Sequence, residues 1–170
     1  IMKLNGKNYE EIANAGGGII STVKALRESS FEYLLEISSK KIKKFIEQGV
    51  TTLEIKSGYG LSFYDEIKML KVINELNNNF DIDIIPTFLG AHEVPDEYRT
   101  KREVYINIII EEMIPQIAER KLPRYCDVFC EKNVFSVDQS RRILQAAHLA
   151  GLGLKIHADE VNDMGGAGLA

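Results

Sequence analysis

Two histidines stand where strands would end, and each leads into carboxylates. His157 closes the segment Gly153-Leu154-Lys155-Ile156 and runs into Ala158-Asp159-Glu160, while His92 follows Phe88-Leu89-Gly90-Ala91 and precedes Glu93. Imidazole is the commonest metal ligand and the commonest acid–base group, so two of them at one edge make a candidate site. His157 and Glu160 form H-x-x-E. In a loop leaving a strand, that spacing can aim an imidazole at a metal and a carboxylate at the water the metal activates, ready to take its proton. Alone the motif is weak, since a solvated Glu three residues after a His is common. Asp159 reads as a cap for the segment that follows. Tyr59, between Gly58 and Gly60, could donate a hydrogen bond to a ligand or simply pack in its loop. His148 falls inside a helical pattern and reads as an ordinary surface or packing residue.

The elements that must position these groups follow from hydrophobic spacing. Phe31, Leu34, Leu35, Ile37, Ile42, Phe45 and Ile46 recur at helical steps between Ser30 and Gln48, with Ser29 or Ser30 as cap and Gly49 as stop. Residues 50–56 alternate and read as a strand, which Gly58 and Gly60 break. Helical spacing resumes through Ile67, Leu70, Ile73 and Leu76 and ends at Asn77-Asn78-Asn79. Residues 82–89 form a near-continuous apolar strand, as in parallel sheets covered on both faces. A helix centred on residues 102–119 and a strand over 125–130 follow. A helix over 136–150, with Ser136 and Gln139 as a capping box, and a strand over 152–157 complete the series. Strand and helix alternating in this way predict an α/β fold with a parallel sheet and right-handed crossovers. Such sheets gather their chemistry at the carboxyl ends of the strands. A closed barrel takes about 250 residues, so a partial (β/α)8 barrel of about four strands and a small doubly wound sheet both fit the pattern.

The 170 residues, 45% hydrophobic and 27% charged, predict one globular domain over 1–170. A net charge of -4 argues against nucleic acid as the main partner. No run of about 18 apolar residues offers a membrane span, and no segment reads as a signal peptide. Cys126 and Cys130 are the only cysteines, and with no second pair they read as buried thiols of a reducing cytoplasm rather than a zinc site. The run Ala15-Gly16-Gly17-Gly18 lacks the Gly-Lys-Ser/Thr ending of a phosphate loop and reads as a loop crossing near the mouth of a site.

Four blocks taken together resemble the imidazolonepropionase family of the amidohydrolase superfamily. They are Lys56-Ser57-Gly58-Tyr59-Gly60-Leu61, residues 87–92, residues 126–131 and residues 155–160; the runs Gly16-Gly17-Gly18-Ile19 and Gly165-Gly166-Ala167 look similar too. The resemblance covers essentially all 170 residues. It implies a TIM-type barrel, in part, and a metal-dependent hydrolase of histidine degradation in the cytoplasm. Such an enzyme opens 4-imidazolone-5-propanoate to N-formimidoyl-L-glutamate by water attack on a cyclic amide. By that likeness His157 is a ligand to zinc or iron, and Glu160 binds substrate and activates or orients the water. His92 and Tyr59 contact the substrate, His92 with a share in catalysis, and Tyr9 matches a less sharply defined substrate-contacting position.

The chain also departs from that family's pattern. It contains no H-x-H pair, and the substrate-binding Arg, the later His and the metal-binding Asp of the family have no counterpart in it. One imidazole cannot hold a catalytic zinc, which takes about three protein ligands. The expectation is therefore an internal portion of the barrel with both ends missing, inactive and metal-poor by itself, while the full-length enzyme acts on its small-molecule substrate. Open sheet edges would favour homo-oligomers. Two other readings remain: a non-catalytic half-barrel that binds a ligand or assembles with a partner, and an unrelated α/β enzyme using His92 and Glu160 without metal.

Overall fold

The computed structural model describes Gly6 and residues 19–170; Tyr9 and the Gly16-Gly17-Gly18 run lie outside the described residues. Helices α1 (Ile19–Glu28) and α2 (Phe31–Glu47) lead into β1 (Thr52–Lys56), α3 (Phe63–Asn79) and β2 (Asp83–Ala91). Next come α4 (Arg102–Asn107), a π turn (Ile108–Met113) and α5 (Ile114–Glu119), then β3 (Tyr125–Cys130), α6 (Val137–Leu149) and β4 (Gly153–Ala158). No helix among the described residues is long and apolar enough to cross a membrane.

The caps read from the sequence are in place. The Ser30 hydroxyl accepts the Tyr33 N–H, and Ser136 and Gln139 form the reciprocal capping box. Helix α1 goes beyond the sequence expectation, in which the glycine run hides the helical spacing of Ile19, Val23 and Leu26. The segment over 102–119 is helical as expected but not uniform. Pro115 has no N–H to offer and its ring crowds the carbonyl of the preceding turn. Just before it the helix widens, with the Ile114 N–H reaching the Ile109 carbonyl.

The four strands among the described residues are parallel and lie in the order β1-β2-β3-β4. A doubly wound sheet reverses its order at a switch point, so sequential order excludes it. Sequential parallel strands with right-handed crossovers put the connecting helices on one side, as in an arc of a (β/α)8 barrel. Between sheet and helices Phe88, Tyr105, Ile109, Ile117, Val128, Ile143 and Ala147 are fully buried. Each large apolar side chain buried there stabilises by roughly 1.5–3 kcal/mol, so this layer holds the arc together. Cys126 and Cys130 are free and buried, as expected, Cys126 within this layer. The opposite face of the sheet carries Glu54, Lys56, Thr87, Asp127, Lys155 and His157, which hydrogen-bond to one another.

Candidate active site

Beyond β1 the chain Ser57-Gly58-Tyr59-Gly60-Leu61 folds back over the first turn of α3, because a carboxylate there collects its N–H groups. Glu66, fully buried, accepts from Gly58 at 3.0 Å and from Gly60 and Leu61 at 2.9 Å each. The backbone bends at Gly58 with φ +102, and a Cβ at that position would sit 2.7 Å from the Leu89 carbonyl oxygen. Burial pushes the Glu66 carboxyl above its ordinary range, while the Ser57 hydroxyl and the three N–H groups pull the other way.

Strand β2 runs to Ala91, beyond the expected end at Leu89, and its register against β3 shifts between Phe88 and Ala91. The irregularity leaves the Leu89 N–H to the buried Ser57 hydroxyl at 3.0 Å and the Gly90 carbonyl to the Tyr105 hydroxyl at 2.8 Å. His92 follows, with Nδ1 2.9 Å from the Gly58 carbonyl oxygen. A carbonyl can only accept, so Nδ1 carries the proton and Nε2 keeps its lone pair. Desolvation lowers the His92 pKa, the Gly58 hydrogen bond opposes it, and the charges of His157, Asp127 and Glu160 are felt there as well. At neutral pH the ring is a neutral hydrogen-bond acceptor.

His157 pairs across the sheet with Phe129 and is 39% exposed. Its Nδ1 lies 3.0 Å from Oδ2 of Asp127, a carboxylate only 1% exposed, and Lys56 Nζ lies 2.7 Å from the same oxygen. Lys56 also reaches Glu54 at 2.9 Å, and Glu54 accepts from Lys155 and from the Thr87 hydroxyl at 2.6 Å each. Burial pushes Glu54 up, but the hydrogen bonds from Lys155, Thr87 and Lys56 outweigh it and hold the carboxyl at about 2.

Along the rim Tyr59, His92, Phe129 and His157 stand edge to face, with successive ring centroids 5.0, 6.0 and 6.2 Å apart. Glu160 is exposed on the loop after β4, close enough for its charge to act on His92. The fold thus brings Tyr59, His92 and His157 into one row, with Glu160 on the loop that follows His157. A cavity of about 370 Å³ between α1 and the loop after β2, lined by Val23, Arg27, Leu61 and Glu93 among others, includes none of these four.

Two acids at the same end are occupied by the backbone. Asp159 accepts the N–H groups of Met164, Gly166 and Ala167 at 2.8, 3.1 and 2.8 Å, the capping role its position suggests. Glu131 takes the Asn162 side-chain amide at 2.8 Å and the Val161 N–H at 3.0 Å, and these bonds hold its carboxyl at about 2. The sequence singles out neither Glu66 nor Asp127, although an acid inside an otherwise apolar strand, as at Asp127, is a detectable signal.

Among the described residues no three His, Cys, Asp or Glu side chains lie together as a metal site. His157 fits one ligand position: a carboxylate holds Nδ1 and leaves Nε2 to bind, the usual support of a metal-ligating imidazole.

No protein-family model matches the chain. It is similar to curated proteins named imidazolonepropionase: 50% identical over 169 residues to that of Alkaliphilus metalliredigens, 52% over 169 to that of Geobacillus thermodenitrificans and 49% over 168 to that of Clostridium tetani. Each alignment covers 99% of this chain and 40% of the relative, so the chain spans about two-fifths of their length.

Proposed function

We propose that this chain, homologous along practically its whole length to the imidazolonepropionases, forms the substrate-binding edge and one metal corner of such an enzyme. The reaction is hydrolytic opening of the ring of 4-imidazolone-5-propanoate. Water adds to the carbonyl carbon, the ring C–N bond breaks, the departing nitrogen takes a proton, and N-formimidoyl-L-glutamate results. The row Tyr59–His92–Phe129–His157, with Glu160 three residues after His157, in a chain about half identical to proteins of that name, carries this reading.

His157, whose Nδ1 is held by Asp127, would be one protein ligand, through Nε2, to a zinc or iron ion. When bound, the metal supplies electrophilic activation of the substrate carbonyl and of water. Glu160 takes the proton of the attacking water and delivers it to the departing ring nitrogen. His92, neutral and protonated on Nδ1, accepts an N–H of the substrate ring through Nε2. Tyr59, partly exposed and set against His92, donates its hydroxyl to a polar edge of the substrate. Phe129 fills the space between the two imidazoles.

Glu160→Gln in the complete enzyme that carries this chain tests the assignment. Turnover should fall by about 10²–10⁴ with metal content unchanged. Retained turnover removes the role given to Glu160.

A further inference from the structure

We propose that Asp127 is a positioning residue for His157, fixing the imidazole with Nδ1 protonated and Nε2 free, and that Lys56 and Glu54 hold Asp127 in that task. This rests on the reading of His157 as a metal ligand.

Asp127 lies in the middle of β3, on the polar face of the arc, and is 1% exposed. A carboxylate so buried is costly unless it is paired and hydrogen-bonded. Lys56 supplies the pairing from β1 at 2.7 Å, reaching across β2. His157 supplies the rest from β4, with Nδ1 3.1 Å from Oδ1 and 3.0 Å from Oδ2. An ionised carboxylate only accepts, so Nδ1 must donate and the tautomer is set.

Lys56 is itself held by Glu54 at 2.9 Å, and Glu54 by Lys155, two residues before His157 on the same strand. The line Lys155–Glu54–Lys56–Asp127–His157 therefore begins and ends on β4 and crosses β1 and β3. It terminates at the half-exposed rim imidazole, whose Nε2 makes no hydrogen bond among the described residues. A network that merely filled the arc would have no need to end there.

The geometry also says what an amide would do. In Asp127→Asn the ammonium of Lys56 demands the amide oxygen, which turns the NH2 toward His157. With the NH2 at the Oδ1 position, 3.1 Å from Nδ1, the imidazole loses one of its two acceptors and meets a donor instead, which weakens the hold on the Nδ1–H tautomer and favours a proton on Nε2, the atom needed for the metal. The same wrong-tautomer logic accounts for the loss when the serine-protease Asp is replaced by Asn. Removing the ammonium as well, with Lys56→Met, lets the amide turn its oxygen back to Nδ1.

Zn(II) affinity, measured by chelator competition on the complete, metal-stripped enzyme, tests this. Asp127→Asn should weaken binding about 10–100-fold, the usual cost of a lost partner to a metal-ligating His. The double variant Asp127→Asn with Lys56→Met should recover part of that loss, an outcome that a structural role alone does not produce. In the His157→Ala background Asp127→Asn should cost nothing more. Nitrogen NMR of the metal-free wild type should show His157 protonated on Nδ1, a readout that needs no variant to fold. Unchanged Zn(II) affinity in Asp127→Asn, or an Nε2–H tautomer in the wild type, overturns the inference while leaving the proposed function standing. A wild-type enzyme that binds no Zn(II) or Fe(II) brings down the metal reading and the inference with it.

Discussion

The carbonyl oxygen of Gly58 lies 2.9 Å from Nδ1 of His92, so the loop after β1 and the residue after β2 fix one another. The N–H of the same glycine donates to Glu66. A buried carboxylate, a turn and an imidazole therefore form one line, with Tyr59 in the turn and Nε2 at its end.

Glu66→Gln should loosen that line. An amide has one oxygen for the three N–H groups of Gly58, Gly60 and Leu61, and a buried orphaned donor costs about 1–3 kcal/mol. Urea unfolding should show a lower midpoint at unchanged slope. The pH dependence has a definite sign. The folded Glu66 carboxyl lies above its unfolded value of about 4.3, so its contribution is fullest below that value and declines as pH rises through the folded pKa. The amide does not titrate, so the deficit of the variant should shrink as pH rises. A deficit that grows with pH would contradict this.

His92→Asn separates anchoring from function. The Asn side-chain N–H can replace Nδ1–H toward the Gly58 carbonyl, but nothing replaces Nε2. Stability should change by less than about 1 kcal/mol while kcat/KM falls by about 10²–10⁴. Because desolvation lowers the His92 pKa, the acid limb of the wild-type pH–rate profile assigned to this residue should fall below about 6.5. A limb that sits above that value, and disappears in His92→Asn, would show the ring to be more basic than its burial allows.

Gly58→Ala tests the turn itself. A side chain at φ +102 is strained, and its Cβ would press on the Leu89 carbonyl, so a loss of about 1–3 kcal/mol is expected. The shift should also displace Tyr59 and raise KM. Wild-type stability and KM together would show that the turn does not depend on glycine.

Glu131 should govern the acid stability of the loop after β4. Its folded carboxyl lies at about 2, below the unfolded value of about 4.3, so its contribution is complete above 4.3 and is lost as pH falls toward 2. Protection of the Val161 and Asn162 amides, taken relative to the intrinsic exchange rate at each pH, should be high at pH values well above 4.3 and fall as the pH is lowered through that window. In Glu131→Gln the same amides should exchange faster already at neutral pH; equal protection in the two proteins would contradict the role.

Much of this site was legible in the sequence, because strands covered on both faces read as apolar runs and their ends are marked by glycine and histidine. Residues 82–89 and 152–157 predict β2 and β4 within two residues, and Ser136 with Gln139 predicts the start of α6. His92 and His157 could be placed on one rim from that pattern alone. Glu66 could not, since an acid in the first turn of a helix ordinarily serves the helix dipole in solvent. Only the folding back of Gly58–Leu61 buries it. Asp127 interrupts an apolar strand and so carries a trace of its role. Its partners Lys56 and His157 come from strands far apart in the chain, and spacing along the sequence holds no record of them. The register shift in β2 and the π turn before Pro115 escape periodicity for a related reason: one extra residue changes where a side chain points without changing its type.

The most direct measurement is the conversion of 4-imidazolone-5-propanoate by the complete, metal-loaded enzyme that carries this chain, with product identified by mass. The expected product is N-formimidoyl-L-glutamate, heavier than the substrate by one water, and it should be lost in Glu160→Gln and His157→Ala. Stoichiometric metal with no ring opening would contradict the proposed function.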